Sequence, residues 1–218
     1  MEYPVVVHTL GCVGYLAAWR EMRAFNETRG PATTDEIWLL EHAPVFTVGL
    51  KGKGRELTNP RGIPFVHTDR GGDVTYHGPG QRLVYVLMDL QRHHWGVKQL
   101  VSNLEQAVID LLAEFDTLGE RHTGAPGVYV GQKKLAALGL RIRGGRSYHG
   151  LALNVNMDLA PFTFIDPCGY PGLEVTQLAD IGIARSVQQA DRLLLPHLLR
   201  NLEYMPPVDT AAFADAPA

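Results

Sequence analysis

The stretch from Val128 to Val155 most narrows the folds open to this chain. Val128 to Leu140 reads as a hairpin turning at Gly131-Gln132, and a second turn at Gly144-Gly145 leads into a strand from Tyr148 to Val155. Just upstream, Val97 to Phe115 is the clearest helix. Val97, Leu100, Val101, Leu104, Val108, Leu111, Leu112 and Phe115 recur at i, i+3, i+4 and i+7. An apolar helical stripe beside hairpin strands calls for helix packed on sheet. No repeat or linker divides the chain, so one α+β domain with mixed sheets flanked by helices is expected.

The remaining elements fit that frame. Pro4 to Leu10 reads as a strand and Val13 to Glu27 as a helix, with Tyr15, Trp19, Met22 and Asn26 on one side and Gly30-Pro31 at its end. Ile37 to Leu40 and Val45 to Val48 read as buried strands separated by His42-Ala43-Pro44. Phe65 to His67 is a short strand, Leu83 to Leu87 an apolar strand-length run, and Ser186 to Leu202 a last helix. Gly49 to Arg61 reads as a mobile loop. The small, Pro- and Ala-rich end from Pro206 reads as a disordered tail, which leaves 1–205 as the folded domain and 206–218 outside it.

Apolar residues make up 45% of the 218, enough for a sizeable core. A formal net charge of −3 gives no global pull toward nucleic acid or anionic membrane. Two cysteines, Cys12 and Cys168, build no disulfide framework and fit a reducing compartment. The N-terminus lacks a basic segment followed by an apolar run, and no stretch reaches membrane-span length. A soluble, cytoplasmic protein is therefore expected.

Three segments carry possible chemistry. Arg70 to Gln81 holds four glycines interleaved with Arg70, Thr75, Tyr76 and His77, so backbone can approach a ligand closely while side chains supply donors and an aromatic wall. Its spacing matches neither a P-loop nor a dinucleotide fingerprint, and a tight structural loop between strands is an equally good reading. Lys133 and Lys134 are adjacent in a strand and so point to opposite faces, one solvated and one inward. Two solvated lysines in a turn would be the plainer account. Cys168 lies among Pro167, Gly169, Pro171 and Gly172, a loop context that makes a thiol reachable, whereas free cysteine is more often a buried small hydrophobe. Cys12, near a helix start, reads as packing. His93-His94 read as a solvated turn, and His149 as a satisfied core histidine. The Lys51 to Arg55 loop and Arg141, Arg143 and Arg146 read as solvated, with an anion dock as the functional alternative.

Taken in order, these segments resemble the lipoyl(octanoyl) transferase family. The matching residues are Arg70-Gly71-Gly72, Thr75-Tyr76-His77 and Gln81. They continue with Gly127-Val128-Tyr129-Val130, Lys134, Leu138-Gly139, His149 to Asn156 and Pro167-Cys168-Gly169. The resemblance covers roughly Glu41 to Leu178 and implies the catalytic fold of lipoate-protein and biotin-protein ligases. It implies an acyltransferase that moves an octanoyl group from octanoyl-acyl carrier protein to the acceptor lysine of lipoyl domains, in 2-oxoacid dehydrogenase E2 subunits and the glycine cleavage H protein. It also implies Cys168 as acyl-bearing nucleophile and Lys134 as its acid/base partner. Substrate-binding residues would be Arg70, Gly71, Gly72, Asp73, Val74, Thr75, Tyr76 and His77, then Ala137, Leu138 and Gly139, then Gly150, Leu151 and Ala152, with His149 in support. No cofactor, metal, nucleic acid or membrane is implied.

Those residue types suit the chemistry. Thioester exchange is nearly balanced in free energy, and amide formation runs downhill, so no nucleotide is required. A free thiol is only a few per cent ionised at neutral pH, and an adjacent ammonium stabilises the thiolate. Lys134 and Cys168 stand 34 positions apart, so only the fold can join them. Leu138, Leu151 and Tyr76 are candidates for an apolar slot, where each buried methylene contributes about 0.8 kcal/mol and depth could select chain length. The rival readings are an ATP-dependent ligase on the same fold, a non-catalytic acyl or carrier binder, and a thioesterase using the same pair.

Overall fold

A computed structural model describes residues 3–52, 61–166 and 172–206. Ten strands run β1 Val5–Cys12, β2 Asp35–Glu41, β3 Val45–Val48, β4 Phe65–His67, β5 Val74–His77, β6 Gln81–Leu87, β7 Glu120–His122, β8 Ala125–Val130, β9 Lys133–Arg143 and β10 Arg146–Asn154. The helices are α1 Tyr15–Thr28, α2 Val97–Ala113 and α3 Val187–Asn201, with a 3-10 turn at Ala160–Phe164.

Seven strands form one sheet in the order β1-β2-β6-β10-β9-β8-β7, and β4-β3-β5 form a second, smaller one. Within the large sheet β1 and β2 are parallel and the other pairs antiparallel. The period-two alternation of a strand explains how both faces are buried at once. Ile37 and Leu39 of β2, Val84 and Val86 of β6, and Leu151 and Leu153 of β10 face α2 and α3, meeting Leu104, Leu111, Leu194 and Leu198. Their sequence neighbours Trp38, Leu40, Leu83, Tyr85 and Ala152 join the opposite cluster with Ala18 and Met22 of α1. The small sheet packs Phe46, Val48 and Tyr76 against Phe162 of the 3-10 turn.

The helices start and stop where local chemistry dictates. Ser186 caps α3 by accepting a hydrogen bond from the Gln189 amide, a contribution of about 1 kcal/mol. On α2 the buried stripe is Leu100, Leu104, Ala107, Val108, Leu111 and Leu112. Val97 and Phe115, expected in it, are 45% and 40% exposed; Val97 is the first residue of the helix and Phe115 lies just past its end. On α1 Ala18 occupies the inner position expected for Trp19. Trp19 is pulled to the margin by a 2.9 Å hydrogen bond to Asp69.

Other expectations are corrected. The Gly-rich segment is only partly a loop: its Val74 to His77 half is strand β5, paired antiparallel with β3. Cys12 ends β1 and is exposed, so it is not core packing. Partial burial and the Glu41 carboxylate push its thiol pKa up. His93 is buried, with Nε2 3.3 Å from the fully buried Asp35 carboxylate. That carboxylate also accepts from Tyr204, from Arg29 and from the Asp89 amide, tying three segments to the start of β2. Arg143 and Arg146 are engaged with Glu27 and Asp89. The tail after 206, and 53–60 of the basic loop, lie outside the described residues.

Candidate active site

A narrow cavity lies between the two sheets, on the α1 side of the large one. The three segments singled out as substrate-binding converge on it. Its wall takes Arg70, Gly72, Asp73, Val74, Thr75 and His77 from the first, Ala137, Leu138 and Gly139 from β9, and His149, Gly150, Leu151 and Ala152 from β10. Tyr15, Leu83 and Tyr85 complete it. Gly71 sits just behind, its amide donating to Leu140 O at 2.8 Å. Tyr76 is elsewhere. Strand alternation turns its ring to the small-sheet cluster, 5.5 Å from Phe46 and 5.6 Å from Phe162.

Backbone approach explains the glycines. Gly139 and Gly150 face each other across β9 and β10, and Gly150 also pairs with Tyr85 of β6. A Cβ on Gly150 would collide with the Val84 carbonyl, so no side chain fits there. The pair leaves a bare strip of sheet along the cavity.

Polar side chains of the wall pair with groups behind it, in a chain whose donors can be assigned from its ends. Asn154 Nδ2 donates to Thr176 O at 2.9 Å, so Asn154 Oδ1 accepts from Gln81 Nε2 at 2.9 Å. Gln81 Oε1 then accepts from His77 Nδ1 at 2.7 Å. His77 Nε2 is left to accept from the Thr47 hydroxyl at 3.2 Å, while Arg70 donates to that hydroxyl and to Thr47 O. Alongside, His42 Nδ1 donates to Val13 O at 2.6 Å, and Tyr85 donates to His42 Nε2 at 2.7 Å. Tyr15 donates to Thr68 Oγ1 at 3.0 Å.

Burial sets the charges. It depresses the His42 pKa to about 4 and takes His77 well below its ordinary value. It lowers His149 as well, against the raising effect of Asp69. Burial pushes the Asp69 carboxyl up, but hydrogen bonds from His149, Tyr148 and Trp19 outweigh it and the net shift is down. Burial thus disfavours the charged form of His77 and His149 in the wall and of His42 near it, while the Asp69 carboxylate stands behind His149.

Lys133 and Lys134 occupy opposite faces of β9. Lys133 is exposed and pairs with Glu174 at 3.2 Å. Lys134 is 3% exposed, with Nζ 5.3 Å from the Tyr129 ring centroid, and that ring stacks on His122 at 3.8 Å. Gly127 makes room for it: a Cβ there, at φ +145°, would stand 2.5 Å from Lys134 Cε. The Lys134 backbone is clamped by Glu174 and Thr176. Its amide donates to Glu174 O at 2.9 Å, and the Thr176 amide donates to its carbonyl at 3.0 Å. Cys168 lies outside the described residues. The flanking Asp166 and Gly172 line one open cavity together with Lys133 and Val175.

Sequence reasoning missed His42, Thr47, Asp69, Tyr15 and Tyr85, which reach the site from four separate segments. His42 read only as a break between strands. Asp69 adjoins the Arg70 motif, and that adjacency was the one signal available for it. Among the described residues no three His, Cys, Asp or Glu side chains are grouped to hold a metal ion.

Comparisons with known proteins bear on this geometry. Residues 15–198 match the family described as the lipoyl protein ligase A/B catalytic domain. The octanoyltransferase of Laribacter hongkongensis is 53% identical over 196 residues, covering 90% of this chain and 95% of that protein. A crystal structure of lipoate-protein ligase A bound with ATP superposes with a TM-score of 0.77 at 14% identity, covering 99% of this chain and 90% of that one. The biotin protein ligase of Aquifex aeolicus superposes with a TM-score of 0.51 at 13% identity, over 93% of this chain and 70% of that one.

Proposed function

The chain belongs to the lipoyl protein ligase A/B catalytic-domain family and is an acyltransferase that moves octanoyl groups in protein lipoylation, and from that premise we propose that it does so through a thioester on Cys168, with Lys134 moving the protons. It takes its acyl group from a donor and gives it to a lipoyl-domain acceptor. The finer identities are part of the proposal: octanoyl-acyl carrier protein as donor, and E2 lipoyl domains and the glycine cleavage H protein as acceptors, in the cytoplasm. Among the described residues no helix is long and apolar enough to cross a membrane.

In the first half-reaction the Cys168 thiolate attacks the donor's carbonyl carbon. The carbonyl–sulfur bond to the carrier breaks, and the departing thiolate takes a proton from the Lys134 ammonium. In the second, the acceptor lysine's amine attacks the acyl-enzyme, neutral Lys134 takes the amine's proton, and Cys168 leaves as thiolate. Atoms and charge balance without a nucleotide.

The observation that carries this reading is the placement of Lys134. A lysine held 3% exposed by a glycine, an aromatic ring and two backbone hydrogen bonds is no solvated turn residue. The segment that clamps it follows the Pro167-Cys168-Gly169 motif, Glu174 lying six positions beyond Cys168. Length also agrees. An extended octanoyl chain covers about 8–9 Å at ~1.2 Å per bond, and the strand from Lys134 to Ala137 covers about 10 Å. A carbonyl near Lys134 therefore sends its tail along β9 toward Gly139 and Gly150. The substrate-binding roles of Arg70 to His77, Ala137 to Gly139 and Gly150 to Ala152 rest on the same path, with Tyr76 supporting the small sheet from behind.

Intact-mass measurement of the enzyme mixed with octanoyl-acyl carrier protein and no ATP tests the proposal. Wild type is expected to gain one octanoyl group and Cys168→Ala none. Transfer to a lipoyl domain by Cys168→Ala at the wild-type rate would overturn the covalent route. Lys134→Ala is expected to fold, with a thiol that alkylates slowly at neutral pH.

A further inference from the structure

One acid interrupts the apolar inner stripe of α2. Glu105 is 6% exposed and adjoins Leu104, Ala107 and Val108, all buried. A glutamate is seldom buried this far unless its charge is paired and hydrogen-bonded. Both of its oxygens are engaged. Oε2 accepts from Arg121 Nε at 3.0 Å, and Oε1 accepts from the Gly127 amide at 2.8 Å. Arg121 is itself anchored on α2, donating to Ser102 O at 3.1 Å and to Gln106 Oε1 at 2.8 Å. The carboxylate is therefore steadied from one side and presents its other oxygen to β8.

Gly127 is the centre of the surface on which Lys134 rests. A Cβ built there would stand 2.5 Å from Lys134 Cε and 3.3 Å from Nζ, so the lysine side chain lies directly against this glycine. Two residues on, the Tyr129 ring centroid lies 5.3 Å from Nζ. Two residues back, Ala125 O accepts from the Tyr129 hydroxyl at 3.0 Å. Strand pairing shifts at the same place: Val128 pairs with Ala136 but Tyr129 with Lys134, so the register skips Leu135. An interrupted ladder constrains β8 weakly, and Gly127, at φ +145°, has no Cβ to limit its backbone. The bond from Glu105 supplies the constraint from outside the sheet. We propose that Glu105 is a positioning residue for the acyl transfer: by holding the Gly127 amide it fixes the stretch of β8 that seats the Lys134 amine. This rests on Lys134 moving the protons, as proposed above.

The test reads the alkylation rate of Cys168 at neutral pH in the full chain, with Cys12→Ala as background so that one thiol reports. Glu105→Leu deletes the acceptor and is expected to slow alkylation about tenfold, the scale of a reacting group displaced by a fraction of an ångström. Glu105→Asp keeps a charge for Arg121 but shortens the reach to Gly127 by one C–C bond, about 1.5 Å. It is expected to slow alkylation as well, and it decides the matter if the Leu variant does not fold. Arg121→Ala leaves the Gly127 bond in place. It should lose stability in urea yet alkylate within about twofold of wild type. In a Lys134→Ala protein, itself slow, adding Glu105→Asp should slow alkylation no further, because the amine it acts through is gone. A purely structural staple would lower the rate in both backgrounds alike. The inference is overturned by Glu105→Asp at the wild-type rate, by an equal loss in Arg121→Ala, or by a further loss in the Lys134→Ala protein. Wild-type alkylation in Lys134→Ala would sink the acid/base reading and this inference with it. Slow alkylation there beside a fast Glu105→Asp sinks this inference alone.

Discussion

Asn154 joins the acyl cavity to the clamp on Lys134, and replacing it with Leu measures how much that link carries. Asn154 is 4% exposed at the end of β10. The substitution keeps volume but deletes two bonds of 2.9 Å each, from Gln81 Nε2 to Oδ1 and from Nδ2 to Thr176 O. Gln81 Nε2 keeps only its 3.3 Å contact to Tyr76 O, and the Thr176 carbonyl loses its Asn154 donor. Two net bonds at about 1 kcal/mol each, plus incompletely satisfied buried groups, amount to roughly 2–4 kcal/mol. For a domain of this size that is a Tm fall of about 5–15 °C. Thr176 is the residue whose amide holds the Lys134 carbonyl, so the clamp should loosen along with the fold. Single-turnover transfer from acyl-enzyme to a lipoyl domain is expected to slow by about tenfold, with little change in KM for the carrier. Gln81→Leu is the control. It removes the upstream bond but leaves Asn154 holding Thr176, so it should cost comparable stability with a smaller loss of rate. Equal rate losses in the two variants, or an Asn154→Leu protein within about 0.5 kcal/mol of wild type by urea unfolding, would refute the reasoning.

Gly127→Ala should destabilise by roughly 1–3 kcal/mol and reduce kcat, because the new Cβ meets Lys134 Cε and the Ala136 carbonyl at 2.5 Å from a positive φ. Calorimetry beside a rate assay checks both parts. Tyr129→Leu removes the ring under the Lys134 ammonium, a cation–π contact of about 0.5–2 kcal/mol, and should slow thiol alkylation at neutral pH. Stability should fall on acidification. His42 stays neutral in the fold until about pH 4 but takes a proton near pH 6.5 when unfolded, so its contribution is complete above pH 6.5 and up to about 3 kcal/mol is lost between those values. His77 and His149 shift in the same direction, and a urea midpoint that is flat from pH 7 to 4 would contradict all three. Ser186→Ala should cost about 1 kcal/mol through the cap of α3, read as a Tm change with kcat unaltered.

The strands from Val128 to Val155 were legible because each pattern there has one cause: alternation fixes the faces and paired turn residues fix the reversals. Val74 to His77 hid its strand because glycines on both sides masked a stretch too short for periodicity to register. Opposite faces for Lys133 and Lys134 followed from strand geometry alone. The rest of the wall did not, because Thr47, Asp69 and His42 acquire their roles only through partners 23 to 80 positions away. Interactions of that range leave no local signature. The Arg141 to Arg146 cluster shows the converse. Three arginines stand close in sequence, yet Arg143 and Arg146 are matched by acids from α1 and from the turn after β6, which weakens their reading as an anion dock.

The donor–acceptor chain around the cavity changes how its lining should be counted. Residue by residue the wall holds histidines, tyrosines, a threonine, an arginine and an aspartate, a roster that suggests a wet compartment. Atom by atom, much of that capacity is spent on hydrogen bonds within the protein, and the surface left to the void is mostly apolar. A saturated hydrocarbon entering it need displace almost no bound water. Affinity for the tail should therefore respond weakly to ionic strength, even where the docking of a charged carrier responds strongly.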